Sequence, residues 1–187
     1  PEDHARLSGH RGGAVWLTGL SGSGKSTIAA ALERRLHARQ VRTVLLDGDN
    51  LRHGLNRDLG FSSADREENV RRTGEVARLF ADSGVIALCA LISPAAAGRD
   101  AARERLGSDR FLEVFIDTPL DACRARDPKG LYARADDGRI ADLTGVGSTY
   151  ETPSSPDLTI DTTAASPEAA ADLILRALIA RGWLPAW

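Results

Sequence analysis

Methionine is absent from all 187 residues, the initiator included, which marks a processed chain or, on our reading, a piece cut from a longer polypeptide. Lysine is nearly absent as well. Of 24 Lys plus Arg residues only Lys25 and Lys129 are lysines, so positive charge is written almost wholly as arginine. Where lysine is kept in such a chain, a compact ammonium is wanted rather than a planar fork. The two cysteines, Cys89 and Cys123, have no metal-ligand spacing and read as buried free thiols, which suits a reducing cytosol and a cytoplasmic protein. No apolar stretch approaches the ~20 residues that span a bilayer. The opening PEDHARLSGHRGG has no signal-peptide apolar core. A formal charge of −2 supplies no general field for nucleic acid or an anionic membrane, so neither is expected as a partner and any anion site must be local.

What is present is a regular alternation of apolar runs and helical patterns. AVWLT (14–18), VRTVLLD (41–47), VIALCALI (85–92), FLEVFID (111–117) and the weaker DLTID (157–161) read as strands. Continuous Val/Ile/Leu runs separated by helices predict parallel strands covered on both faces. Helices are expected over 26–39, over 65–82 with Asp65 as cap, and from SPE (166–168), where Ser166 caps and Pro167 opens the helix, to Gly182. The fold class expected is α/β, one domain with a five-stranded parallel sheet between two helical layers. Residues 1–13 read as a tail or linker remnant and 14–187 as the domain. The stretch from about 127 to 156, rich in Gly, Asp, Arg, Thr and Pro, fits neither pattern and reads as a lid over a cleft or a mobile surface loop.

GLSGSGKST matches G-x-x-x-x-G-K-[ST] at Gly19, Gly24, Lys25 and Ser26, between a predicted strand and a predicted helix. Such a loop (a P-loop) curls so that several backbone N–H groups point inward at the phosphate oxygens of a nucleoside triphosphate. Lys25 would reach the β- and γ-phosphates, and the Ser26 hydroxyl would join a Mg²⁺ shell. With two lysines, neither in an N-K-x-D motif, a guanine-specific switch is excluded, and phosphoryl transfer to a small acceptor remains. LLDGD then ends the following strand, where open parallel sheets bind ligands. Asp47 there can hold the metal or accept a hydroxyl proton. Asp49, Asn50 and Arg52 would face the acceptor, with Arg52 able to pair an anion bidentately. Both Asp47 and Asp49 could reach the proton, and the spacing leaves the base open between them.

On the helix over 65–82, Val70, Thr73, Ala77 and Phe80 form an inward stripe, and Arg66 and Asn69 continue it at the N-terminal end. An arginine there is either a buried structural ion pair or an anion ligand.

These residues resemble the adenylylsulfate kinases, from about Gly12 to the C-terminus, through WLTGLSGSGKSTIA, LDGDNLRHGL, DLGFSSADREENVRR, LISP, RDPKGLY and TGVGSTYETPSSPDL. The resemblance implies a P-loop kinase fold, ATP with Mg²⁺, adenylyl sulfate as acceptor and its ribose 3′-hydroxyl as nucleophile. It also implies a homodimer and a fused or associated sulfate adenylyltransferase machinery. Carried over by position, Gly19, Leu20, Ser21, Gly22, Ser23, Gly24, Lys25, Ser26 and Thr27 would bind the ATP phosphates, and Ser26 and Asp47 would serve the metal. Asp49, Asn50, Arg52, Phe61, Arg66, Asn69, Ile92, Ser93 and Leu143 hold the acceptor, and Lys129 lies on the segment that closes over the nucleotides. Ser93 matches a serine given a phosphoryl-enzyme role in some descriptions of the family. Nothing adjacent in sequence supplies it with a base, so direct transfer is the preferred reading. The chain departs from the family at Ala95 and Ala96 (usually an aromatic and an arginine), at Leu143 (usually a phenylalanine stacking on adenine) and at Asp136 (usually an arginine). Those departures keep two other readings open: a kinase for another hydroxylated acceptor, and a nucleotide-binding regulatory module without turnover.

Overall fold

A computed structural model describes residues 2–186. In chain order the elements are α1 (Glu2–Ser8), β1 (Gly13–Thr18), α2 (Lys25–His37), β2 (Thr43–Asp47), α3 (Gly48–His53), α4 (Ser63–Asp82), β3 (Ile86–Ala90), α5 (Ala96–Leu106), β4 (Phe111–Ile116), α6 (Leu120–Arg126), α7 (Leu131–Asp136), β5 (Leu158–Ile160) and α8 (Pro167–Ala180). The five strands form one parallel sheet in the order β2-β3-β1-β4-β5. All five expected strands are present; β1 begins one residue earlier than expected, and the other four are shortened at one or both ends.

Side chains alternate across a strand, and β1 shows what that does here. Val15 and Leu17 join one core with Ile28 and Leu32 of α2 and Ile174 and Leu178 of α8. Ala14 and Trp16 join the other, with Val70 and Ala77 of α4 and Ala102 and Leu106 of α5. Every residue of β1, β3 and β4 is buried, which is why these segments read as continuous rather than alternating apolar runs. On α4 the expected stripe holds: Val70, Thr73 and Ala77 are buried, and Phe80 packs at the edge of the cluster.

Three expectations change. The cap of α4 is Ser62, not Asp65: the Asp65 amide donates to Ser62 Oγ at 3.2 Å, and Ser62 Oγ donates back to the Asp65 carboxylate. The serine wins because its short side chain turns onto the N3 amide while its backbone stays extended. The tail contains α1, none of it buried, while Gly12 and Gly13 are buried and lead directly into β1. The segment 127–156 is not structureless. It contains α7, and its Tyr132 and Leu143 form a small apolar cluster with Cys123 of α6, against which Leu20, Leu131 and Ile140 pack. Six helical residues are too few for a period to be read from sequence.

One polar feature lies inside the sheet layer. Glu113 of β4 is 6% exposed and pairs with Arg99 at 2.9 Å and Arg103 at 3.0 Å, both from α5. Removing one partner of such a buried pair costs about 3–5 kcal/mol, because the other charge is stranded. Cys89 and Cys123 are free and buried, as expected. Among the described residues no helix is long and apolar enough to cross a membrane.

The entry into β1 is tight. A Cβ on Gly12 would lie 2.1 Å from the carbonyl oxygen of Ala81. Gly12→Ala is therefore expected to destabilise the protein by about 1–3 kcal/mol through overpacking against backbone. A urea unfolding midpoint equal to that of the parent chain would contradict this packing.

Candidate functional site

The sheet order places β1 between β3 and β4, and the chain leaves β1 and β3 towards opposite edges, so a crevice opens beyond their carboxyl ends. The loop after β1 lies in it. Gly19 has φ 148° and passes so close to β4 that a Cβ would sit 2.6 Å from the Ile116 carbonyl oxygen. Gly24, at φ 105°, turns the chain into α2. A side chain is excluded at the first position by space and disfavoured at the second by backbone conformation. The result is a ring of amides at the amino end of a 13-residue helix.

Lys25 is buried beneath this ring, with Nζ donating to the carbonyls of Gly19 at 2.9 Å and Leu20 at 2.7 Å. Burial, with a smaller contribution from the Lys129 ammonium, lowers its pKa from 10.5 to about 8. Ser26 Oγ donates to Asp47 Oδ2 at 2.5 Å. The other Asp47 oxygen accepts the Asp49 amide at 2.9 Å and so caps α3. One carboxylate thus ties the end of β2 to the phosphate loop.

From α3, Asp49 forms an ion pair with Lys129, the first contact between the acceptor turn and the 127–156 segment. Arg52 donates to the carbonyl of Gly60 at 2.7 Å and lies 4.4 Å from the centroid of the Phe61 ring. Phe61 itself is 67% exposed, an uncovered aromatic face at the cleft. Asn50 is exposed on α3 and does not line the cleft.

Among the described residues Arg66 has no carboxylate partner, which speaks against the ion-pair alternative. Its guanidinium donates to the Phe61 carbonyl at 2.8 Å, to Ser148 Oγ at 2.9 Å, to Thr144 Oγ1 and to the Asp142 carbonyl. A cation held only by neutral groups retains its charge for an anion. Asn69 is buried, with its side-chain oxygen accepting from Asn56 Nδ2 at 2.9 Å, so its amide nitrogen is the group available to the cleft.

Ser93 is 2% exposed with φ 41°. Its hydroxyl donates to Thr18 Oγ1 at 2.9 Å and accepts from Trp16 Nε1 at 3.1 Å. Thr18 in turn donates to the Ile92 carbonyl at 2.7 Å, so the Tyr150 hydroxyl, 2.9 Å away, is the donor to Thr18. Burial raises the Tyr150 pKa to about 12, keeping it a neutral donor. The Ser93 proton is spent on a neutral oxygen, and among the described residues no base adjoins it.

Lys25, Ser26, Asp47, Asp49, Arg52, Phe61, Arg66, Asn69 and Ser93 line one cleft of about 1000 Å³, which also takes in Leu143, Ile92, Arg126, Arg134 and Arg139. Within the loop, Gly19, Leu20 and Ser23 hold Lys25 and do not line the cleft. The departures have physical consequences. Leu143 is buried in the apolar cluster against Tyr132 as well as lining the cleft. Asp136 pairs outward with Arg124 at 3.0 Å. Ala95 leaves space in a neighbouring cavity of about 420 Å³, bounded by Val70, Gly98 and Arg66.

Sequence reading missed Thr18, Tyr150 and Arg99, whose contacts include partners as far as 52 residues (Arg99 to Glu151) and 132 residues (Thr18 to Tyr150) away. It also missed Arg126, which donates to Thr162 Oγ1 at 2.7 Å beside the loop. An arginine directly before DPK was the one available signal.

A phosphate loop with its lysine, a serine–aspartate pair at its mouth, and a cationic segment over the same cleft define an ATP-dependent kinase of small acceptors. The chain belongs to the adenylylsulphate kinase family, whose model matches residues 11–161. It is 60% identical over 160 residues to an adenylyl-sulfate kinase of Citrobacter koseri, covering 86% of this chain and 80% of that one. It is 54% identical over 180 residues to the bifunctional enzyme NodQ of Azospirillum brasilense, covering 96% of this chain but 29% of the relative. The solved APS kinase of Mycobacterium tuberculosis, in complex with AMPPNP and APS, superposes with a TM-score of 0.86 at 50% identity, covering 90% of this chain and 98% of that one.

Burial of the Lys25 ammonium has a sign that can be measured. Its folded pKa, about 8, lies below 10.5, so its favourable contribution is complete above pH 10.5 and is lost as pH falls through 8. Nucleotide-free protein should therefore gain stability relative to Lys25→Met as pH rises from 8 towards 10. Denaturant midpoints of the two proteins that stay parallel across that range would contradict it.

Proposed function

We propose that the chain transfers the γ-phosphoryl of ATP to the ribose 3′-hydroxyl of adenylyl sulfate, giving 3′-phosphoadenylyl sulfate and ADP, with the residue roles that follow. The observation that carries the reading is the 2.5 Å contact of Ser26 with Asp47, which brings the phosphate loop and the acceptor turn to one point. The family supplies the reaction, and the M. tuberculosis relative, solved with AMPPNP and APS, supports the two substrates.

Lys25 would exchange the Gly19 and Leu20 carbonyls for phosphate oxygens, and the loop amides would hold the rest of the chain of phosphates. The donor set fits Mg²⁺. Ser26 and Asp47 provide one hydroxyl and one carboxylate, and among the described residues no cluster of three His, Cys, Asp or Glu is present. Mg²⁺ beside nucleotides is usually held in this way, by one or two protein oxygens, phosphate and water. When bound, it would neutralise charge on the β- and γ-oxygens.

Asp47 is assigned the hydroxyl proton. It is buried and adjoins Ser26, where the reacting phosphate would end, whereas the Asp49 carboxylate is exposed and neutralised by Lys129. Asp49 instead ties the closing segment to the acceptor turn. Arg52 and Arg66 would take the sulfate–phosphate anhydride, and Phe61 would stack on the adenine, worth about 1–3 kcal/mol for such contacts. Ser93 positions rather than reacts, since its proton already serves Thr18. Transfer is direct.

The 54% identity to part of a bifunctional enzyme supports a place for this domain in a longer sulfate-activating polypeptide. The buried free thiols support a cytoplasmic location, and a homodimer is the proposed assembly.

The test is ADP release with ATP and Mg²⁺, with and without adenylyl sulfate. Strong dependence on that acceptor is expected, and release indifferent to it would favour another acceptor or a regulatory module. On the same assay, Asp47→Asn should lower kcat by about 10²–10⁴, the usual contribution of a general base. Asp49→Asn should act mainly on KM. The reverse ranking would move the proton to Asp49.

A further inference from the structure

Arg99 sits in the first turn of α5, 2% exposed, and touches neither the phosphate loop nor the acceptor turn. Its guanidinium is divided three ways. Nε donates to Glu113 Oε1 at 2.9 Å, one terminal nitrogen to the Ser93 carbonyl at 2.8 Å, and the other to the Glu151 carbonyl at 2.7 Å. Charge neutralisation of Glu113 needs only the first of these, and Arg103 already shares that task.

The other two bonds join segments that have different tasks. Ser93 stands in the left-handed region, φ 41°, which a side chain disfavours and which therefore needs an external hold on its peptide. Glu151 lies near the end of the 127–156 segment, where its backbone is fastened to the body of the protein. Two further bonds fasten the same junction: the Glu151 amide donates to the Pro94 carbonyl at 2.9 Å, and the Ala96 amide donates to Glu151 Oε2 at 2.6 Å. Next to it, Tyr150 donates to Thr18, the oxygen that also receives the Ser93 proton. The wall formed by Ile92 and Ser93 and the root of the closing segment thus share one support.

We infer that Arg99 is a positioning residue for the acceptor: it sets the wall at Ile92 and Ser93 and the root of the closing segment at Tyr150 and Glu151 in a single register. This rests on the acceptor assignment above. The closing segment meets the acceptor side of the cleft through Arg66, at Asp142, Thr144 and Ser148. Those groups lie only a few residues before the Arg99 support, so a loosened root displaces the surface that Arg66 and the acceptor must both meet. The ATP phosphates, held by the loop after β1, are outside its reach. Only an arginine fits, because a lysine ammonium can neutralise Glu113 but is too compact to reach a carboxylate and two separate carbonyls at once.

The test is Arg99→Lys, which keeps the charge opposite Glu113, with steady-state kinetics in each substrate. The acceptor KM should rise about tenfold or more, the ATP KM should stay within about twofold, and kcat should fall. Glu151→Ala, an exposed change that removes only the carboxylate on the Ala96 amide, should move the same parameter in the same direction by a smaller factor. A folded Arg99→Lys protein whose acceptor KM is unchanged, or whose two KM values rise together, overturns the inference. Should Arg99→Lys fail to fold, Glu151→Ala decides alone, and an unaltered acceptor KM there overturns it. Parent protein that releases ADP without regard to adenylyl sulfate would overturn the acceptor assignment and this inference with it.

Discussion

The burial of β1 on both faces is the constraint from which the rest follows. With Val15 and Leu17 committed to one layer and Ala14 and Trp16 to the other, the strand cannot shift by one residue without exchanging its cores. Its last residue, Thr18, is fixed with it, and the chain must turn at Gly19 against the Ile116 carbonyl. The phosphate loop is therefore hung from the most rigid part of the sheet. The same rigidity serves the acceptor side, because the Thr18 hydroxyl receives Ser93 and Tyr150 and donates to Ile92. One strand end thus indexes both proposed substrate sites.

Each cation facing the cleft has a provisional partner. Lys25 rests on loop carbonyls, Lys129 on Asp49, and Arg66 on hydroxyls and backbone oxygens. The carbonyls and hydroxyls are weaker acceptors than phosphate or sulfate, and the Lys129–Asp49 pair is exposed, so anionic substrates can displace these partners without first breaking a strong buried ion pair. The strong buried pair, Arg99 with Glu113, lies outside the cleft and acts as scaffold. Donors already aimed at the space the substrates fill reduce the reorganisation left to be done at the moment of reaction.

Most of the fold was legible in the chain. The five strands, the phosphate loop, the inward stripe of α4 and the Ser166–Pro167 start of α8 all appear where expected. Much of the site was legible as well: Lys25, Ser26, Asp47, Asp49, Arg52, Phe61, Arg66, Asn69 and Ser93 line one cleft. Less was legible where short elements or distant partners decide. The helix α7 is shorter than two turns, and Ser62 displaced Asp65 as cap through a local choice between two capable side chains. The nature of Arg66, ion pair or free charge, depended on residues 76 to 82 positions away.

What the sequence determined by itself is whatever repeats along the chain or is confined to a few adjacent residues. Periodicity sets strand and helix, and glycine spacing sets the phosphate loop, because backbone sterics and burial act locally. Tertiary structure alone decided which groups share a charge or a proton. The pairing of Lys129 with Asp49, the hub at Thr18 and the three-way division of Arg99 join residues brought together only when the segment 127–156 returns across the sheet. A side chain carries its charge and its donors in its covalent structure, but their partners are set by distance, and distance is a property of the folded chain.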